Sequence, residues 1–149
     1  MDGFALSGDG SRLYYCPNSG HHLYSVSTKV LADASQSDQA VSATVTPLGN
    51  KGFASDGLEA DADGCLFLTD YEKDAIRMRL PDGKYKVVVR QPAMVWPDSI
   101  SIAPRNYLYY ISNQLNRRSQ FHYGKDLRRK PYVIYRLKMP GSTPQASGA

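Results

Sequence analysis

At 149 residues, with 21% charged and 42% apolar side chains, the chain can bury a core of its own and lies outside the composition of disordered segments. Its net charge of +4 is uneven: residues 1–71 hold three basic and nine acidic side chains, residues 72–149 fifteen basic and five acidic. No apolar run reaches the roughly 20 residues of a membrane-spanning helix, and MDGFALSGDG has neither the basic start nor the apolar centre of a signal peptide.

The first stretch, DGFALSGDGSRLYYC (2–16), predicts two strands, 3–7 and 13–16, around an Asp9-Gly10 turn. LYSV (23–26) predicts a third strand, residues 30–34 a single helical turn, and 43–48 a fourth strand. The second stretch, DGLEADADGCLFLTD (56–70), repeats the pattern with its turn at Asp63-Gly64. A third strand at 76–79, a Pro-Asp-Gly turn and a fourth strand at 84–90 complete it. The third stretch, DSISIAPRNYLYYIS (98–112), begins the pattern again, but about sixteen inserted residues displace its next strand to 134–137. No fourth strand follows, and PGSTPQASGA (140–149) reads as a flexible tail.

Asp2, Asp56 and Asp98 thus head three copies of one unit, and Leu13, Leu66 and Leu108 open their second strands. Four short strands per unit, at a period near 40–50 residues, predict the blades of a β-propeller. A twisted four-stranded sheet cannot bury both faces alone, and stacking blades around an axis covers them. The fold class is therefore all-β, a partial propeller over 1–139 with blades near 2–48, 56–90 and 98–138. Propellers have about four to eight blades, so three do not close a ring. Either further blades or a second copy of the chain must complete it.

Cys16 and Cys65 have no metal or disulfide spacing and read as buried thiols. The basic excess fits solvated strand faces and a loop, RRSQFHYGKDLRRK (117–130), and no nucleic-acid motif accompanies it. His21 and His22 are adjacent and point to opposite faces of a strand, which excludes them as paired ligands. His122 reads as a solvated loop residue.

Several segments together resemble the yellow and major royal jelly protein family, whose bacterial and fungal relatives are labelled dopachrome-tautomerase-related. They are DGFALSGDGSRLYYCPNSGHHLYSV (2–26), LGNKGFASDGLEADADGCLFLTDYEKDAI (48–76), WPDSISI (96–102) and the SNQLNRR run with its following residues (112–128). The resemblance implies a six-bladed propeller of which this chain is the C-terminal half, usually secreted and hence extracellular. It also implies a small aromatic amine or an indole- or catechol-like ligand in the central channel, with dopachrome conversion in some members. A looser similarity to gluconolactonase-type lactonases implies a divalent metal, such as Ca, at the channel mouth, with Asp2 and Asp56 among its ligands.

In a propeller the innermost strands begin at the mouth of the channel, so Asp2, Asp56 and Asp98 form a partial acidic ring there. Carboxylates held close suit a metal or a protonated amine. The alternative is that each aspartate only fastens its own strand start. Phe53 and Trp96 precede Asp56 and Asp98 and would form an aromatic wall suited to cation–π contact, or a plug between blades. Asn113, Gln114 and Asn116 follow the last second strand and offer amides to a ligand or to the backbone. Asp56 is the candidate catalytic carboxylate, as a proton shuttle in a tautomerisation. A protein-interaction propeller with no catalysis is the third reading.

Overall fold

The structure, a computed structural model, describes residues 3–139. Asp2 and the expected tail at 140–149 lie outside the described residues.

Three antiparallel sheets follow one another along the chain, each built from consecutive strands. The first blade comprises β1 (Gly3–Leu6), β2 (Arg12–Cys16), β3 (His22–Ser27) and β4 (Thr46–Asn50). The second comprises β5 (Leu58–Ala60), β6 (Leu66–Asp70), β7 (Ala75–Arg79) and β8 (Tyr85–Arg90). The third holds β9 (Pro97–Ala103), β10 (Tyr107–Ser112) and β11 (Ile134–Lys138), with no fourth strand among the described residues. β1 adjoins β5 and β5 adjoins β9, so the innermost strands run side by side.

Turn chemistry sets the hairpins. Gly10, Gly64 and Gly83 take φ of 71°, 81° and 88°, the left-handed values that tight Asp-Gly turns need. The third blade has no glycine at its first hairpin. Arg105 and Asn106 both adopt positive φ there, at 64° and 59°, the double requirement of a type I′ turn.

Alternation along the strands then sorts the side chains into two cores. Ala5, Cys16 and Leu23 of the first blade meet Leu58, Leu66 and Leu68 of the second, with Phe53 beneath them. Phe67 and Ile76, on the opposite face of the second blade, meet Ile100, Leu108 and Tyr110 of the third. Cys16 belongs to the first core and Cys65 flanks the second, so no disulfide joins them. Small residues allow the close approach near the axis. A Cβ on Gly3 would collide with the Asp56 carbonyl oxygen, and one on Gly57 with that of Asp98.

The largest departure from the sequence reading lies in the last strand of the first blade and the connection before it. The fourth strand of the first blade begins at Thr46, where 43 was expected, because the connection before it folds into α1 (Thr28–Leu31) and α2 (Asp38–Ser42). Ser37 Oγ caps α2 by accepting from Ala40 N at 3.2 Å, and Thr44 N still donates to Val41 O. Arg12 then anchors the strand by donating to Thr44 O and Thr46 Oγ1.

Candidate functional site

Asp56 sits just ahead of β5 and is buried, 9% exposed as a residue. The hydroxyl oxygen of Thr69, on the neighbouring β6, accepts from both Asp56 N and Gly57 N, at 3.0 and 2.9 Å. This fixes the strand start by main-chain bonds and leaves the carboxylate to other partners. Asn18, from the β2–β3 turn of the first blade, donates Nδ2 to Oδ1 at 2.9 Å. Trp96, ahead of β9 in the third blade, donates its indole N–H to Oδ2 at 3.0 Å. Tyr71, just beyond β6, stacks on the Trp96 ring with centroids 4.0 Å apart and donates its hydroxyl to Asn18 O at 2.8 Å. Four side chains from three blades thus form a circuit around one carboxylate. Burial pushes the Tyr71 phenol above its ordinary value, and the negative charges of Glu72 and Asp56 add to the effect.

Asp98 holds the equivalent place in β9 and is half-buried. Its Oδ2 accepts from Asn113 Nδ2 at 2.6 Å, and Asn113 Oδ1 accepts from Leu115 N. Asp56 and Asp98 border one groove of about 350 Å³ along the innermost strands, shared with Phe4, Gly57, Leu58, Ser99 and Ile100. Residues from two adjacent innermost strands thus line one concavity.

The remaining expected residues divide. Trp96 sits against Asp56, held at a φ of 56° by its N–H to Asp74 Oδ1 and by accepting Asn113 N on its carbonyl. Phe53 does not join it in an aromatic wall. The Phe53 ring is 1% exposed, edge-on to Tyr85 in the first core, with Lys51 Nζ 5.0 Å and the Arg77 guanidinium 4.8 Å from its centroid. It is the inter-blade plug. The repeat carries the reason: Val95 occupies the same place before Asp98 and is likewise buried. Gln114 turns away from the groove, its amide bonding both N and O of Arg129 and so fastening the inserted loop. Asn116 lies exposed in that loop and accepts His122 Nε2–H on its carbonyl. His21 pairs with Glu72 at 3.1 Å, outside the groove.

Two members of the circuit, Asn18 and Tyr71, escaped the sequence reading. They were marked there nonetheless, since both stand two residues after the matched Cys16 and Thr69, the position that Asn113 fills in the third copy. A metal fits this site poorly. A cation on Asp56 would have to displace the Asn18 and Trp96 donors, and no group of three or more His, Cys, Asp or Glu among the described residues is placed to hold one. Asp2, the other expected ligand, lies outside the described residues.

Consecutive antiparallel sheets, two of four strands and one of three, stacked with their innermost strands side by side, define the blades of a β-propeller. The family model for major royal jelly protein matches residues 1–140, and the chain belongs to that family. No curated protein matches the sequence. Among solved structures, a gluconolactonase from Xanthomonas campestris superposes with a TM-score of 0.66 at 17% identity, over 95% of this chain and 44% of its own. A luciferin-regenerating enzyme gives 0.62 at 17%, over 94% and 45%. A further protein described as a gluconolactonase gives 0.61 at 13%, over 91% and 44%. At such identities the likeness is one of fold. The chain spans less than half the length of each.

Proposed function

We propose that the chain contributes to a channel-mouth binding site for a small protonated aromatic amine, or a related indole or catechol compound. The observation that carries this reading is the shared groove: Asp56 and Asp98, on adjacent innermost strands, border the same space of about 350 Å³. An ammonium group there meets two carboxylates, while Phe4, exposed on the same groove, gives the ring an apolar surface. Asp56 acts as a fixed anchor, since both its oxygens already accept a side-chain N–H. A proton-shuttle role for Asp56 requires one of those bonds to break first, so the arrangement favours binding over tautomerisation. The same reading has the protein act outside the cell, as secreted members of the family do.

The test is calorimetric titration with dopamine, serotonin and dopachrome, followed in parallel by fluorescence of Trp96, the single tryptophan. Saturable binding of the two amines is expected, weakened about tenfold or more by Asp98→Asn through loss of one charge-assisted contact. Flat heats with all three compounds would overturn the reading.

A further inference from the structure

We propose that Asp74 is the positioning residue of the channel-mouth site: it latches Trp96 in a backbone conformation that the fold does not otherwise require, and that conformation delivers the indole N–H to Asp56. The role rests on the reading of Asp56 and Asp98 as anchors for an amine. Neither Asp74 nor Trp96 lines the groove that those two border, so both act on a ligand only through the Asp56 carboxylate.

Trp96 has a φ of 56°, in the left-handed region that bulky side chains rarely adopt. The internal repeat shows that blade entry does not demand it. Ala54 stands two residues before Asp56 as Trp96 stands two before Asp98, and Ala54 is not among the described residues of positive φ. At both positions a carboxylate accepts the main-chain N–H: Glu72 Oε2 from Ala54 at 3.0 Å, and Asp74 Oδ1 from Trp96 at 3.2 Å. The two clasps come from different places. Glu72 follows β6 in the blade that Ala54 leads into, whereas Asp74, just ahead of β7, reaches forward from the second blade to the entry of the third. The left-handed backbone goes with the forward clasp, and so does the side chain that bonds Asp56.

The latch is itself held. Asp74 has a φ of 49°, which aspartate tolerates, and its carbonyl oxygen accepts Gln91 N, just past β8, at 3.2 Å. Trp96 is gripped from its other side, where its carbonyl oxygen accepts Asn113 N at 3.2 Å. Fixed by these bonds, the residue sets its indole N–H 3.0 Å from Asp56 Oδ2 and its ring against Tyr71. Removing the Asp74 acceptor removes the bond that offsets the unfavourable φ. Trp96 then relaxes toward negative φ, its side chain swings, and Asp56 loses a donor that keeps its carboxylate oriented. An anchor that must be reordered on binding holds an ammonium group less tightly.

Trp96 is the single tryptophan, so its emission reports the latch with no ligand present. Asp74→Gly removes the acceptor and Asp74→Asn keeps one, and both new residues accept positive φ, so the turn itself is preserved. The glycine variant should show red-shifted emission and easier acrylamide quenching, while the asparagine variant should match the wild type. Dopamine affinity should fall about tenfold in the glycine variant and stay within about twofold in the asparagine variant. Far-ultraviolet dichroism checks that each variant is folded. Hydrogen exchange on the wild type gives a second reading, in which a protected Trp96 main-chain amide is expected. Four results would each overturn the proposal: wild-type emission from Asp74→Gly, wild-type dopamine affinity in that variant, an asparagine variant as altered as the glycine one, or a rapidly exchanging Trp96 amide. Emission that shifts as expected in a protein that binds no amine, wild type included, would overturn the binding reading and support the latch.

Discussion

Trp96 and Asp56 meet across the boundary between the second and third blades, indole N–H to carboxylate at 3.0 Å. The bond is charge-assisted and Asp56 is buried, conditions under which a hydrogen bond contributes more than its usual share. Trp96→Phe keeps a ring for Tyr71 to stack on and removes the donor. It should cost about 1–3 kcal/mol, read as a lower urea midpoint. An unchanged midpoint would mean that the Asn18 bond alone holds the carboxylate.

Asp70 and Arg77 form an ion pair with a fully buried carboxylate, Nε to Oδ2 at 2.6 Å and the Asp70 side chain 0% exposed. Arg77 also lies over the Phe53 ring, so it links the strand pair β6–β7 to the first core. Arg77→Ala strands a carboxylate in the interior and should destabilise by about 3–5 kcal/mol. Combining it with Asp70→Asn should recover a large part of the loss, which thermal unfolding of the two variants would reveal.

Two glutamates should respond to pH with opposite sign. Burial works to raise Glu72, but the Ala54 N–H, His21 and Lys51 outweigh it and hold the carboxyl below its ordinary 4.5. Its stabilising contribution is therefore present above 4.5 and lost as pH falls through the depressed value. Glu59 is raised by burial, so its ionised form opposes folding above 4.5. Glu72→Gln should lower the melting temperature at neutral pH, and Glu59→Gln should raise it. Both differences should close in melting curves taken well below 4.5, and differences independent of pH would contradict the assignment.

Gly57→Ala tests the close approach at the axis. Its Cβ would meet the Asp98 carbonyl oxygen, a backbone atom that cannot swing aside, so the third blade must shift outward. Overpacking of this kind should cost about 1–3 kcal/mol. Because Asp98 moves with β9, amine affinity should fall together with stability, which a parallel titration would show.

The architecture was legible because it repeats. Leu13, Leu66 and Leu108 fall at the same offset from their Asp-headed strands, and the Asp-Gly turns mark hairpins in the two blades that have them. Asp56 and Asp98 could be found from the same offsets, Trp96 from its place two residues before Asp98 and Asn113 from its place after the last second strand. What one copy read alone could not convey was direction. Phe53 and Trp96 both precede an aspartate, yet one faces the core between blades and the other bonds a carboxylate. Their different offsets, three residues before Asp56 and two before Asp98, and the buried Val95 at the −3 place of the third copy separate them. The fourth strand of the first blade was misplaced for a different reason, since a cap at Ser37 extends the helical connection beyond its apolar residues.

Repeat proteins usually behave as linear arrays, in which each unit stands or falls by its contacts with the next. The Asn18–Asp56–Trp96–Tyr71 circuit changes that arithmetic, because the same carboxylate serves the joints on either side of the second blade. Loosening one joint withdraws a partner from the residue that secures the other. Coupled in this way, the three blades should melt in one cooperative step, which coincident fluorescence and dichroism unfolding curves would show.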